Sequence, residues 1–203
     1  MRIYSLIIVS LLLFGQVLTS NASDEPNTPT SSLEKAIVAG GCFWCIESDF
    51  EKISGVKEVV SGYAGGKEKN PTYQNYGRSG HIEVVQISYD PAVISYSQIL
   101  ELFWRRIDPT DAKGQFCDRG HEYSTAIFHL NDKQKKLAEQ SKSKLDKSGL
   151  LKKPVATKII KADVFYKAEK YHQDYYKKNP LRYRSYRYNC GRDQRLRMLW
   201  GEK

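Results

Sequence analysis

Apolar positions along the chain fall into two spacings. Between Lys35 and Gly40 they run together (KAIVAG) and stop at two glycines, the pattern of a buried strand entering a turn. From Cys42 to Ile53 they return every three or four residues, at Phe43, Ile46, Phe50 and Ile53, which predicts a helix stopped by Gly55. Val56 to Tyr63 reads as a second strand, and Ala64 to Gly80, rich in Gly, Asn and Pro, as a loop. His81 to Tyr89 alternates as a third strand closed by Asp90-Pro91. A helix over Tyr96–Ile107 with Ser97 as its cap, a loop over Asp108–Gly120 and a strand over Thr125–Leu130 follow. Asn131 is placed to cap a long polar helix that ends near Gly149. A strand over Ala156–Ala162 and a helix over Ala168–Asn179, stopped by Pro180, complete the pattern. Strands two and three follow one another with no helix between them. The predicted class is therefore α+β, helices packed on a mixed or antiparallel sheet.

The first 34 residues stand outside this pattern. Arg2 precedes an apolar run from Ile3 to Leu18, and Ser20 and Ala22 supply the small-x-small spacing of a secretory cleavage site. The run is short for a membrane span, which needs ~20 apolar residues. Residues 1–22 are thus expected to be a signal peptide cleaved near Ala22, and residues 23–34 a flexible leader. One domain is expected over residues 35–203, ending in a basic tail from about residue 181. The expected product is exported, periplasmic or secreted, monomeric, and without stable membrane association after processing.

Charge adds one question. The formal net charge is +9, with positive residues gathered over Lys133–Lys153 and in the tail Arg182–Arg197, where Arg and Tyr alternate. Interleaved basic and aromatic residues can bind single-stranded nucleic acid. The plainer reading is a polar helix face and a solvated tail that lays Tyr rings on the domain. With export, the expectation is no nucleic-acid partner.

The densest local chemistry is Gly40-Gly41-Cys42-Phe43-Trp44-Cys45. A strand, two glycines and a helix put Cys42 at a helix N-terminus, where unpaired N–H groups favour an anion and lower a thiol pKa. Phe43 and Trp44 would wall the sulfur. Cys42 and Cys45 have the Cys-x-x-Cys spacing of redox pairs. Zinc normally needs four Cys or His ligands in paired spacings, and Cys117 and Cys190 have no near partner, so no metal and no cofactor is expected. On the third strand Glu83 is in phase with Val85, Ile87 and Tyr89, the cleaner apolar face. A carboxyl there is desolvated, its pKa rises, and it can serve as a general acid. Asn70-Pro71-Thr72-Tyr73 and the stretch Phe116–Tyr123 have the polar-aromatic character of functional loops.

Taken together these residues resemble the type A peptide-methionine sulfoxide reductases, specific for the S epimer. The resemblance is carried by Gly41-Cys42-Phe43-Trp44, Gly62-Tyr63-Ala64-Gly65-Gly66, Asn70-Pro71-Thr72-Tyr73, Gly80-His81-Ile82-Glu83 and Tyr89-Asp90-Pro91. It continues through Phe103-Trp104, Asp108-Pro109, Asp118-Arg119-Gly120, Tyr123-Ser124, Tyr171-His172-Gln173-Asp174-Tyr175 and Asn179-Pro180. It implies a two-layer sandwich around a ferredoxin-like core. It implies that Cys42 attacks the sulfoxide sulfur, Glu83 protonates the oxygen, Tyr73 and Tyr123 hydrogen-bond that oxygen, Phe43 and Trp44 hold the S-methyl group, and Asp118 orders the site. The substrate would be methionine sulfoxide, free or in proteins, and the reductant a thioredoxin-like dithiol donor. The family commonly has Gly at the position of Cys45 and a Gly-rich tail around its resolving cysteine. Cys190, Cys45 and Cys117 therefore compete for the resolving role, with Cys190 favoured by its tail position. Two other readings stay open: a dithiol-disulfide oxidoreductase working through Cys42 and Cys45, and a basic binding module using the tail.

Overall fold

The computed structural model describes residues 32–201. The expected signal peptide and residues 23–31 of the expected leader lie outside the described residues.

Strand β1 (Glu34–Gly40) leads through the Gly-Gly turn into α1 (Phe43–Phe50), then β2 (Val56–Ala64), β3 (Ile82–Tyr89) and α2 (Tyr96–Trp104). Two short strands, β4 (Gly114–Gln115) and β5 (Asp118–Arg119), and a 3-10 turn at His121–Tyr123 precede β6 (Thr125–His129). The chain continues through α3 (Asp132–Asp146), β7 (Lys158–Lys161) and β8 (Tyr166–Lys167), and closes with α4 (Tyr175–Lys178), α5 (Pro180–Asn189) and α6 (Arg192–Trp200). The main sheet runs β7-β6-β1-β3-β2-β8. All its pairs are antiparallel except β6 with β7. Within it, β1-α1-β2-β3-α2-β6 with spatial order β6-β1-β3-β2 is the ferredoxin-like arrangement. No described helix is long and apolar enough to cross a membrane.

Strand alternation divides the core. Ala36 and Val38 of β1, and Val85, Ile87 and Tyr89 of β3, face the helices with Phe43, Ile46, Phe50, Ile99 and Phe103. Their alternates Ile37, Ala39, Ile82 and Val84 form a second cluster on the other face, covered by Ile160, Ala162 and Phe165. Each fully buried side chain of α1 contributes roughly 1.5–3 kcal/mol. Their three- and four-residue spacing is what holds α1 flat on the sheet.

Four sequence expectations change. The cap of α2 is Ser95, not Ser97, in a reciprocal capping box with Gln98. The helix expected over Ala168–Asn179 is only α4, one turn long, because Asp174 takes a left-handed φ of 54° and Gln173 folds back to bond Ser61 and Ala168. Pro180 does not close a helix but opens α5, at the position where its missing N–H is harmless. The expected solvated tail is helical and partly internal. Arg192 is 1 % exposed, and its guanidinium donates to the carbonyls of Gly40 and Arg106. Arg187 pairs with Asp49 and Asp193.

Candidate active site

The two glycines before Cys42 have separate reasons. Gly41 takes φ +77°, and a side chain on it would come within 2.6 Å of Gln115 Cβ. A side chain on Gly40 would run into Ile46 of α1 at 2.5 Å. The turn is therefore tight enough to set Cys42 at the N-cap of α1, where its carbonyl accepts from the Cys45 and Ile46 N–H groups.

The residues expected in the site converge. Cys42, Phe43, Trp44, Tyr73, Glu83, Asp118 and Tyr123, joined by Tyr186, line one small cavity of about 70 Å³. A larger groove of about 670 Å³, lined by residues of α2 and α3, holds none of them.

Glu83 is 2 % exposed, on the helix-facing side of β3 as its phase predicts. Phe43 N–H donates to its Oε2 at 2.8 Å and the Tyr76 hydroxyl to its Oε1 at 2.9 Å. Burial pushes its pKa up to about 8, against the pull of those two hydrogen bonds. With a pKa of about 8 the carboxyl holds its proton near pH 7, and it lines the same cavity as the sulfur. Tyr76 also hydrogen-bonds Tyr123, so Glu83, Tyr76 and Tyr123 form one chain of polar groups.

Cys42 corrects an expectation. Burial pushes its thiol up, with Cys45 and the Glu83 carboxyl adding to the shift, although the helix start was expected to lower it. At 5 % exposure the sulfur has lost more hydration than the terminus of an eight-residue helix restores. Cys45, also buried, shares a hydrogen bond with Cys42 and is drawn down by it and by the charges of Arg192 and Arg187.

The aromatic wall is braced from the α4 segment. Trp44 stacks on Tyr175 with centroids 3.7 Å apart and donates through Nε1 to His172 Nδ1 at 3.0 Å. His172 packs on Phe43 and Tyr73 at 4.9 and 4.5 Å. Glu169 accepts from the Tyr73 backbone N–H and from the Tyr63 hydroxyl, both at 2.9 Å, and so fixes the loop that carries Tyr73.

The four cysteines divide into two pairs. Cys42 and Cys45 are free and buried. Cys117 and Cys190 are joined in a disulfide across 73 residues. Cys117, Asp118 and Cys190 are also the one group of three possible metal ligands among the described residues, and its two sulfurs are bonded to each other. Tyr186 and Tyr76 were missed from the sequence. Tyr76 shares the turn of Tyr73, and Tyr186 stood in an Arg-Tyr repeat with nothing to separate it from Tyr183 or Tyr188.

A family model described as peptide methionine sulfoxide reductase matches residues 34–203. The chain is 54% identical over 172 residues to a Bacillus licheniformis protein named peptide methionine sulfoxide reductase MsrA, covering 84% of this chain and 95% of that one. It is 46% identical over 201 residues to a Vibrio cholerae protein named MsrA/MsrB, covering 98% of this chain but only 53% of the relative, so the chain spans about half of that longer protein. Among solved structures, reduced Mxr1 from Saccharomyces cerevisiae matches with a TM-score of 0.67 and 33% identity, over 74% of this chain and 88% of that one. A structure of Mxr1 in complex with Trx2 matches with a TM-score of 0.50 and 26% identity, over 72% of this chain and 86% of that one. The family match over residues 34–203 and the identity to the Bacillus relative place the chain in the peptide methionine sulfoxide reductase family, as an oxidoreductase of type A.

Proposed function

We propose that this site reduces the S epimer of methionine sulfoxide by thiol chemistry at Cys42, and that Cys45 is the resolving thiol. The observation that carries the reading is a buried, neutral carboxyl, Glu83, sharing an aromatic cavity with a reactive-position sulfur. A sulfoxide oxygen leaves poorly until it is protonated, and a positioned acid typically contributes ~10²–10⁴-fold. Cys42 attacks the sulfoxide sulfur while Glu83 gives a proton to the oxygen. The hydroxyls of Tyr73 and Tyr123 steady that oxygen, and Phe43 and Trp44 hold the S-methyl group. The first half-reaction turns the Cys42 thiol and the sulfoxide into a sulfenic acid and methionine. In the second, the Cys45 thiol displaces the sulfenic hydroxyl, forming the Cys42–Cys45 disulfide and water.

The preference for Cys190 gives way to Cys45 because Cys45 is the free thiol in contact with Cys42 and Cys190 is already bonded. A dithiol donor of the thioredoxin kind then reopens the disulfide by exchange. The complex of Mxr1 with Trx2 supports that class of donor. The pattern in residues 1–22 supports action after export, in the periplasm or outside the cell, free of the membrane once cleaved.

The test uses capped methionine sulfoxide, resolved into its S and R epimers, with dithiothreitol. Wild type should reduce the S epimer alone, and Cys42→Ser should lose the reaction. Retained activity in Cys42→Ser, or reduction of the R epimer in place of the S, overturns the reading.

A further inference from the structure

Glu83 supplies a proton to the substrate, but nothing above removes the proton from Cys42. Its thiol is buried and held above the ordinary range, so the helix start does not ionise it. A second carboxyl shares the cavity with the sulfur. Asp118, from β5, lines the same cavity, and the Tyr186 hydroxyl of α5 donates to its Oδ2. Tyr186 also hydrogen-bonds Cys42, so its oxygen lies between the sulfur and the carboxylate. The phenol has one proton. With that proton on the bond to Asp118, its oxygen accepts the thiol S–H.

We infer that Tyr186 and Asp118 are the proton acceptor of the Cys42 thiol, with Tyr186 as the relay in contact with the sulfur and Asp118 as the base behind it. The inference rests on the reading of Cys42 as nucleophile. As the sulfur attacks, its S–H bond breaks and the proton passes to the Tyr186 oxygen. The phenolic proton passes to the Asp118 carboxylate at the same time. Cys42 carries the freed electron pair to the substrate sulfur, Tyr186 is unchanged, and Asp118 becomes a neutral acid. No outside oxidant or reductant is involved.

The surroundings divide the two carboxyls. Burial keeps the proton on Glu83 against the two hydrogen bonds it accepts from Phe43 and Tyr76. Burial also holds Asp118 above its ordinary value, but the Tyr186 hydroxyl and the nearby Arg192 charge offset part of that rise. The other titratable groups around the relay are Cys45 on α1 and Tyr73 and Tyr123 from the loops. The Cys117–Cys190 disulfide sets the geometry from outside. Cys117 directly precedes Asp118, and Cys190 follows Tyr186 by one helical turn, so the bond ties the base and the relay together.

Two carboxyls of opposite duty give a bell-shaped dependence of the first-turnover rate on pH. The acid limb belongs to Asp118, which must be ionised, and the alkaline limb to Glu83, which must be protonated. The experiment follows methionine formed in a single turnover from pH 4.5 to 9.5, with KM measured alongside. Tyr186→Phe should lower the plateau rate about 10²-fold, leave KM nearly unchanged and erase the acid limb. Asp118→Asn should do the same, and the double variant should be no slower than either single one. Each single variant decides by itself should the other fail to fold. An acid limb intact in Tyr186→Phe, a loss carried mainly in KM, or multiplied losses in the double variant overturns the relay while leaving Cys42 as nucleophile. A wild type that does not reduce the S epimer removes the reading of the site and the relay with it.

Discussion

The two cysteine pairs of this molecule are built in opposite ways. Cys42 and Cys45 are three residues apart, buried, free and placed by a local device, the Gly-Gly turn into α1. Cys117 and Cys190 are 73 residues apart, and their bond joins a loop to a C-terminal helix nearer the surface. Chemistry that must happen in sequence gains from the first design, because both sulfurs ride on one rigid helical turn. The second design suits holding, since it keeps Asp118 and Tyr186 in place while taking no part in the reaction.

The largest expected effect breaks the first region. Glu83→Gln should slow the first turnover by about 10²–10⁴-fold with little change in substrate affinity. Wild-type rates should fall as pH rises through about 8, where Glu83 loses its proton. That alkaline limb should be absent in the variant. The same residue has a stability signature. Its folded pKa of about 8 lies above the ordinary carboxyl value, so between the two the folded state holds a proton that the unfolded state has lost. Its contribution to stability therefore falls as pH rises through that window, by about 1.4 kcal/mol per unit. Chemical denaturation at pH 5 and pH 8 should show Glu83→Gln gaining on wild type at the higher pH; no relative gain would mean Glu83 is ionised in the folded protein.

A smaller effect belongs to the second region. Arg192→Met should leave the buried carbonyls of Gly40 and Arg106 unpartnered and lower stability by about 1–3 kcal/mol. The damage should reach the turn before Cys42, because Gly40 begins it, so hydrogen exchange at Gly41 and Cys42 should quicken. Unchanged exchange there would confine Arg192 to the surface role first expected of its tail. The smallest effect is a control outside both regions. Ser95→Ala removes the capping box of α2 and should cost about 1 kcal/mol with turnover unchanged.

The same contrast explains what the sequence disclosed. The α+β class, the phase of Glu83 on β3 and the turn before Cys42 were legible because each is written in spacings of two, three or four residues, whereas the ferredoxin-like core came through the family resemblance. Tyr73, Tyr123 and Asp118 came through the family resemblance. The C-terminal helices were not legible. α5 and α6 have charged residues on every side, so no apolar stripe marks them, and they are held by Arg187 and Arg192 reaching across more than a hundred residues. The Cys117–Cys190 pairing was hidden for the same reason, since nothing local links position 117 to position 190. The rise of the Cys42 pKa was missed because a helix start is visible in a sequence and the burial that outweighs it is not.

The division of labour between the two pairs is tested most directly by mapping disulfides after one turnover. The enzyme, with its Cys117–Cys190 bond intact, is given a single equivalent of S-sulfoxide without reductant, alkylated and digested. The account predicts a new Cys42–Cys45 linkage beside an unchanged Cys117–Cys190 bond, and a linkage from Cys42 to Cys190 or Cys117 would contradict it.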